Sequence, residues 1–280
     1  MKVGVVGAGV MGTGVAQCFA AAGHEVVVVD PDPAALAGGP DRVRRGLRLQ
    51  ALLGSAPADP DLVPDRLSWT ADLGDVAGCG FVVECGPERI PVKEGLFAAL
   101  DDLCAPDTVL ASCTSAIPVG VLAAATTRPD RVLATHFMNP APLKDTVEVV
   151  RGPGTSDATM ARTADVLSSL GKKAIVVSDA PGFVTNRVLM LAINEAVKVV
   201  AEGTAPAAAV DQVFESCFGH PMGPLRTADL IGLDTIRDTL LVLRDLLADP
   251  AYTPSPLLVE LVAAGRLGKK SGRGFHDWRL

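Results

Sequence analysis

The first thirty residues constrain the fold of this chain more than any other stretch, because they surround the turn Gly7-Ala8-Gly9-Val10-Met11-Gly12. An apolar run of strand length, Lys2–Val6, precedes the turn. A proline-free segment rich in alanine and valine, Val10–Ala22, follows it as a predicted helix. A second apolar run, Glu25–Val29, comes next and ends at Asp30. The sequence therefore predicts a strand, a tight turn, a helix and a second buried strand.

This arrangement is typical of a dinucleotide-binding unit. The first glycine permits the sharp turn, the second lets the backbone approach a pyrophosphate, and the third lets helix and strand pack closely. Free N–H groups at the helix start attract phosphates. An acid after the second strand accepts hydrogen bonds from ribose hydroxyls and repels a 2′-phosphate, so we predict NAD rather than NADP. The predicted contacts are Gly7, Gly9, Val10, Met11, Gly12 and Asp30.

Composition narrows the class of protein. A chain of 280 residues can hold one large or two ordinary domains. Its net charge of −7 argues against a nucleic-acid partner. It contains no apolar stretch of about 18 residues that would span a membrane. Because the N-terminus leads directly into the first strand rather than into a signal peptide, we expect a cytoplasmic protein.

The cysteines show neither a CxxC pair nor zinc-ligand spacing, so we predict no metal site. We interpret all six as reduced and structural, and only Cys113 lies close to a candidate site in the sequence. The six are Cys18, Cys79, Cys85, Cys104, Cys113 and Cys217.

From Leu67 onward, strand and helix patterns alternate, which predicts a Rossmann-type, mainly parallel sheet covered on both faces. At Pro181-Gly182 the pattern becomes helical only. We predict two domains, residues 1–182 for NAD binding and residues 183–280 for substrate binding and dimerisation. The predicted strands after the first two are Leu67–Thr70, Phe81–Glu84, Val109–Ala111, Val132–Thr135, Val147–Val150 and Ala174–Val177.

Two predicted helices carry surfaces that could bind other molecules. Gly38-Gly39-Pro40 should interrupt the helix after Asp30, leaving an arginine-rich helix, Asp41–Leu53, followed by a loop at Ala56–Pro64. Its arginines are either a solvated face or a binding face. The helix Phe183–Glu202 is apolar almost all round, which favours burial against a second copy of the chain.

His136 differs from the other histidines because it closes a predicted strand at the edge where open α/β sheets bind ligands. Glu148 lies on the next predicted strand and could orient the imidazole, as the acid of a catalytic triad does. A neutral imidazole is a good base for an alcohol whose O–H proton leaves as hydride is transferred. The sequence alone leaves open whether the two side chains touch.

Several further motifs resemble the 3-hydroxyacyl-CoA dehydrogenase family, including its 3-hydroxybutyryl-CoA members, over essentially the whole chain. They are GAGVMGTGVAQCFAAAGHEVVVVD from Gly7, the pattern Glu84, Glu88 and Lys93, HFMNPAP from His136, DAPGFVTNRVLMLAINEAV from Asp179, PMGPLRTADLIGLDT from Pro221, and LGKKSGRGFHDW from Leu267.

This resemblance implies an NAD-dependent enzyme that interconverts 3-hydroxyacyl and 3-oxoacyl thioesters, and a homodimer. It implies a catalytic dyad and two substrate-positioning polar groups, which are His136, Glu148, Ser115 and Asn186. It also implies residues near the nicotinamide ribose and a further cofactor contact, which are Glu88, Lys93, Asn139 and Lys270. Without the resemblance, Ser115 and Asn186 would be interpreted as a loop-capping hydroxyl and a helix-start polar residue.

The chain departs from the family pattern at two places. Cys113-Thr114-Ser115-Ala116 stands where the family has Asn-Thr-Ser-Ser, and Lys144 is displaced by one residue, which on a strand would send it to the opposite face. Three other functions therefore stay open. They are oxidation of a thioester on an acyl carrier protein, oxidation of a free hydroxy acid as in gulonate dehydrogenases and lambda-crystallins, and NAD binding without catalysis.

Overall fold

The computed structural model describes residues 1–279. The described chain divides into two compact units, of which the first is Met1–Ala180 and the second begins at Pro181. Within the described residues, no helix is both long and apolar enough to cross a membrane.

The first unit is built on one sheet, which among the described residues has eight strands in the order β3-β2-β1-β4-β5-β6-β7-β8. Neighbouring strands are parallel from β3 to β6, β7 is antiparallel to β6, and β8 is parallel to β7. The prediction of a mainly parallel sheet is confirmed. The strands are β1 Lys2–Val6, β2 Glu25–Val29, β3 Leu67–Thr70, β4 Phe81–Glu84, β5 Val109–Ser112, β6 Val132–Phe137, β7 Thr146–Arg151 and β8 Lys173–Ser178.

Helices cover the sheet because its central strands are apolar on both faces. The valines of β1 and β2 are almost fully buried, and those of one face pack in a cluster with α1, whose side chains Val15, Ala16 and Phe19 are inaccessible to solvent. This pattern is expected of parallel strands packed between two helical layers. The helices of this unit are α1 Val10–Ala21, α2 Pro33–Leu52, α3 Ile90–Leu103, α4 Val119–Ala123 and α5 Asp157–Ser169.

The predicted interruption at Gly38-Gly39-Pro40 is wrong, because α2 runs through it as one helix of 20 residues. Asp32 caps the helix by accepting a hydrogen bond of 2.9 Å from the N–H of Ala34. Packing outweighs the low helix propensity of glycine: a Cβ at Gly39 would lie 2.2 Å from the Trp69 ring, so only glycine lets α2 approach β3 this closely. The predicted loop at 56–64 contains a short 3-10 turn, Pro60–Leu62.

The second unit is helical, as predicted, and a buried carboxylate ties its C-terminal segment to it. Asp229 accepts hydrogen bonds of 2.9 Å from the N–H groups of Phe275 and His276 and from the indole N–H of Trp278. Asp211, also buried, contacts the Nε2 atom of His276 at 2.7 Å. The helices of this unit are α6 Thr185–Ala201, α7 Ala207–Phe218, α8 Pro224–Ile231, α9 Leu233–Leu247 and α10 Pro256–Ala263.

The close packing of α2 on β3 gives a stability prediction. Gly39→Ala should lower the free energy of unfolding by about 1–3 kcal/mol, because the new methyl group overlaps the Trp69 ring. Gly95→Ala in α3 is the matched control: its Cβ would meet no neighbouring atom within 4 Å, and it should raise stability by up to about 1 kcal/mol. Denaturation followed by circular dichroism measures both. If Gly39→Ala were as stable as the unmodified protein, the tight contact between Gly39 and Trp69 would be contradicted.

Candidate active site

The glycine turn after β1 has the geometry of a phosphate cradle. Gly7 has a φ of +112°, and a Cβ on it would lie 2.7 Å from the carbonyl oxygen of Cys85. A Cβ on Gly12 would lie 1.8 Å from the carbonyl oxygen of Gly7, so both positions require glycine. At Gly9 an added Cβ would meet nothing within 4 Å. The space before Gly9, at the uncapped N-terminus of α1, is therefore open to a pyrophosphate.

Asp30 is held against this turn. Its Oδ2 atom accepts a hydrogen bond of 2.7 Å from the N–H of Ala8, and its Oδ1 atom accepts one of 2.9 Å from the N–H of Asp32. Arg42 of α2 donates to the carbonyl oxygen of Ala8 at 2.8 Å. A carboxylate can accept about four hydrogen bonds, so Asp30 keeps acceptor capacity for ribose hydroxyls. The residues present thus fit a bound dinucleotide.

A buried ion pair lies where β4 and β5 end. Glu84 and Lys93 are at most 1% exposed, and the Lys93 amine donates to both carboxylate oxygens at 2.9 and 2.8 Å. Ser112 donates to the same carboxylate at 2.7 Å. Burial alone would lower the pKa of Lys93, but the carboxylates of Glu84 and Glu88 raise it, so the amine stays charged. The pair fixes the ends of two adjacent strands.

Glu88 holds the segment that contains Ser115. One of its oxygens accepts hydrogen bonds from the Thr114 hydroxyl at 2.5 Å and from the N–H groups of Ser115 and Ala116 at 2.9 Å. The other oxygen lies 3.6 Å from the Lys93 amine. The structure therefore brings Glu88, Lys93 and Ser115 together. The side chain of Lys93 is covered by protein, whereas that of Glu88 is about one-third exposed.

The structure brings His136 and Glu148 into direct contact. Antiparallel pairing of β6 with β7 places them opposite each other, and His136 Nδ1 lies 2.9 Å from Glu148 Oε2. Each residue is only 6% exposed. An ionised carboxylate can only accept, so Nδ1 carries the proton and Nε2 of the neutral ring keeps its lone pair. The strand extends two residues beyond the predicted Val132–Thr135, so His136 is the last but one residue of β6.

A cavity of about 290 Å³ opens beside the turn. Asn139, in the exposed segment after β6, contributes to its wall. Arg42 and Arg45 of α2 line the opposite side. Lys144 precedes β7 and does not lie on a strand, so the expected reversal of its direction does not apply.

The remaining predicted site residues belong to the second unit. Asn186 lies in the first turn of α6 and is 9% exposed. Lys270 forms an ion pair with Asp234 at 2.6 Å. Burial alone would raise the pKa of Asp234, but the hydrogen bond from Lys270 helps to lower it.

Three features of this site were not predicted from the sequence. Arg42 contacts the glycine turn, Ser112 donates to Glu84, and Cys85 lies beside Cys113. The sequence held a signal for the last two. Glu84 ends a predicted strand, and Ser112 comes one residue after the end of another. Residues at the ends of adjacent parallel strands meet at one edge of the sheet.

A parallel sheet with a glycine turn, an acid held against that turn and a second, helical unit defines a dinucleotide-binding dehydrogenase. The NAD-binding domain of 3-hydroxyacyl-CoA dehydrogenase matches residues 2–180, and the C-terminal domain of the same enzyme matches residues 182–278. The chain belongs to the 3-hydroxyacyl-CoA dehydrogenase family, whose members are NAD-dependent oxidoreductases. The predicted family, enzyme class and cofactor are confirmed.

Relatives match the chain over its full length. A probable 3-hydroxybutyryl-CoA dehydrogenase of Deinococcus radiodurans is 44% identical, with 99% of this chain and 100% of the relative covered. The 3-hydroxybutyryl-CoA dehydrogenase of Bradyrhizobium diazoefficiens is 41% identical, with 99% and 95% covered. The crystal structure of (S)-3-hydroxybutyryl-CoA dehydrogenase from Ralstonia eutropha is 39% identical, covers 100% of this chain and 99% of its own, and has a TM-score of 0.90.

The position of Asp30 predicts the cofactor preference. Catalytic efficiency with NAD should exceed that with NADP by at least about tenfold, because a 2′-phosphate would lie against the carboxylate. Asp30→Ala should lower the ratio of the efficiency with NAD to the efficiency with NADP. Asp32→Ala is the control, since Asp32 caps α2 and should leave the ratio unchanged. Steady-state kinetics with both cofactors measures it, and equal efficiencies in the unmodified protein would refute the assignment.

Proposed function

We propose that this protein interconverts a short-chain (S)-3-hydroxyacyl-CoA and the corresponding 3-oxoacyl-CoA, with His136 and Glu148 as the acid–base dyad. The observation that carries the proposal is the contact of 2.9 Å between these two buried side chains. The relatives named for 3-hydroxybutyryl-CoA support the substrate class, and the Ralstonia eutropha enzyme supports the (S) configuration.

His136 is the general base in the oxidation direction. Its Nε2 atom takes the proton of the substrate hydroxyl, while Glu148 holds the ring orientation and stabilises the imidazolium that forms. When bound, NAD supplies the hydride acceptor. In the reverse direction, the imidazolium returns the proton to the oxygen of the 3-oxo group.

The other predicted residues act by binding and orientation. The Ser115 hydroxyl donates to the reacting oxygen of the substrate, and Asn186 donates to the thioester carbonyl. Glu88 has two roles. It fixes the Ser115 segment, and its exposed part, together with Asn139, accepts hydrogen bonds from the nicotinamide ribose. Lys93 acts through Glu84 and Glu88 because its amine is buried. Lys270 remains a proposed cofactor contact.

The substrate class can be tested directly. NAD reduction should be measured with the same 3-hydroxybutyryl group on CoA and on an acyl carrier protein, and with free hydroxy acids. We expect the CoA thioester to give the highest catalytic efficiency. Preference for a free hydroxy acid would indicate a gulonate-type activity, and NAD binding without turnover of any substrate would indicate a non-catalytic protein.

The carrier-protein alternative rests on the exposed arginines of α2. Arg44, Arg45 and Arg48 lie at the surface, where they could attract the acidic helices of a carrier protein, whereas Arg42 points inward to Ala8. The predicted interruption at Gly38-Gly39-Pro40 gives this alternative no support, because α2 is continuous there. A preference for the carrier-bound substrate that disappears in Arg44→Ala/Arg45→Ala would favour it over CoA.

The dyad predicts a large kinetic effect. His136→Ala should lower turnover by roughly 10²–10⁴, the usual contribution of a positioned acid–base group. NAD affinity measured by calorimetry should change little. Glu148→Gln should also slow the reaction, because the imidazolium loses its anionic partner. His24→Ala is the matched control, since His24 lies far from the dyad in sequence and contacts Met1 and Ser169. Wild-type turnover in His136→Ala would refute the mechanism.

The second unit predicts a homodimer. Val184, directly before α6, and Val188, within it, are 56% and 64% exposed, and burying such side chains against a second copy would remove apolar surface from water. Light scattering at micromolar concentration should give twice the chain mass. Val188→Lys should weaken the dimer, whereas Leu52→Lys, at an exposed position of the first unit, should not. A monomeric unmodified chain would contradict the prediction.

A further inference from the structure

Two cysteines stand side by side where β4 and β5 end. Glu84 pairs with Ser112 as the last residues of these parallel strands, and each is followed by a cysteine, Cys85 and Cys113. The N–H of Cys113 donates to the carbonyl oxygen of Glu84 at 2.7 Å, so the pairing continues beyond the strand ends. The cysteines are therefore cross-strand neighbours.

Their side chains share one face of the sheet. Glu84 and Ser112 contact each other on one face, and successive side chains alternate, so the cysteines project from the other. That face packs against α1, since a Cβ on Gly12 would lie 3.4 Å from the Cβ of Cys85. The two thiols lie close enough for each to shift the pKa of the other. Neighbouring strands lie about 4.8 Å apart, within the Cα separation of about 4.4–6.8 Å that disulfides span.

The two thiols differ in reactivity. The neighbouring Cys85 thiol lowers the pKa of Cys113, and the charged Lys93 amine acts in the same direction. The neighbouring Cys113 thiol, together with burial, raises the pKa of Cys85 well above its ordinary value. Both residues are partly exposed. By contrast, burial raises the pKa of Cys79 to about 11 and also raises that of its neighbour Cys104.

We propose that Cys85 and Cys113 form a peroxide-sensitive thiol pair whose oxidation to a disulfide reversibly inactivates the enzyme. Cys113 is the attacking thiol and Cys85 is the resolving thiol. The ligand class is a peroxide, either hydrogen peroxide or an organic hydroperoxide.

The chemistry balances with the peroxide as the two-electron oxidant. The Cys113 thiolate attacks one peroxide oxygen, the O–O bond breaks, and water or an alcohol leaves as the sulfenic acid forms. The Cys85 sulfur then attacks the Cys113 sulfur, the S–S bond forms, and hydroxide leaves as water with the proton of the Cys85 thiol. Dithiothreitol then reduces the Cys85–Cys113 bond by thiol–disulfide exchange: both protein thiols are regenerated, and the reductant leaves as its own cyclic disulfide.

The position of the pair explains why a disulfide would stop turnover, a step that rests on the proposed function. The backbone of Cys85 lies against Gly7, and its N–H donates to the carbonyl oxygen of Val6 at 2.7 Å. Cys113 precedes the segment that Glu88 holds around Ser115. Drawing the two sulfurs into a bond shifts both the nucleotide turn and the Ser115 segment, and misplacement of about 1 Å can cost roughly a hundredfold in rate.

The test uses the full chain in a Cys217→Ser background, which removes the exposed thiol. After treatment with hydrogen peroxide, a protease that cleaves after acidic residues, at Glu84, Glu94 and Asp107, separates the four neighbouring cysteines for mass spectrometry. We expect a Cys85–Cys113 disulfide with Cys79 and Cys104 still reduced. Turnover should fall by roughly tenfold or more, NAD affinity measured by calorimetry should fall, and dithiothreitol should restore both. Bound NAD should slow the oxidation.

Single variants separate the roles. Cys113→Ala should keep its own untreated activity after peroxide. Cys85→Ala should lose activity that dithiothreitol does not restore, because an unresolved sulfenic acid proceeds to the irreversible sulfinic acid. Cys79→Ala should behave as the background does. Reduced thiols at both positions after treatment, or a disulfide that leaves turnover and NAD affinity unchanged, would overturn the proposal. If no thioester is a substrate, the peptide map and the NAD affinity still decide it.

Discussion

The rest of the structure depends on a backbone contact between Gly7 and Gly12 that is too close for any side chain at position 12. The backbone of Gly12 lies so near Gly7 that a Cβ would come within 1.8 Å of the Gly7 carbonyl oxygen. This approach fixes the start of α1 directly above the end of β1, and it leaves the N–H groups of that first turn facing open space at Gly9. Backbone groups therefore form the turn that fits the cofactor phosphates, and the side chains around the turn hold that backbone in place.

The buried charged side chains near the site also hold the backbone in place. Glu84 is removed from solvent, and an isolated buried carboxylate would be costly, so Lys93 and Ser112 compensate it. Lys93 also faces Glu88, which in turn binds the Ser115 segment. One buried amine thus links the ends of β4 and β5 to the proposed substrate donor. Loss of this amine would leave a buried carboxylate without its cationic partner.

The sequence predicted most of the sheet because its strands are continuous apolar runs, and β3 and β4 begin and end where expected. It failed at α2, where the low helix propensity of glycine and proline is outweighed by packing on Trp69, a partner distant in sequence. It identified His136 and Glu148 but not their contact, since that depends on the register of β6 against an antiparallel β7. The neighbours Cys85 and Cys113 were missed because no strand order was predicted: each follows a strand end, and the adjacency of β4 and β5 brings them together.

The hydrogen bonds at Asp229 have a consequence for synthesis of the chain. This carboxylate is 1% exposed, and its partners are the N–H groups of Phe275 and His276 and the indole of Trp278, close to the C-terminus. During translation these residues are still inside the ribosomal exit tunnel when α8 has already emerged. Asp229 therefore lacks these partners until residues 275–278 have left the tunnel, whereas the sheet of the first unit, whose last strand ends at Ser178, can assemble earlier.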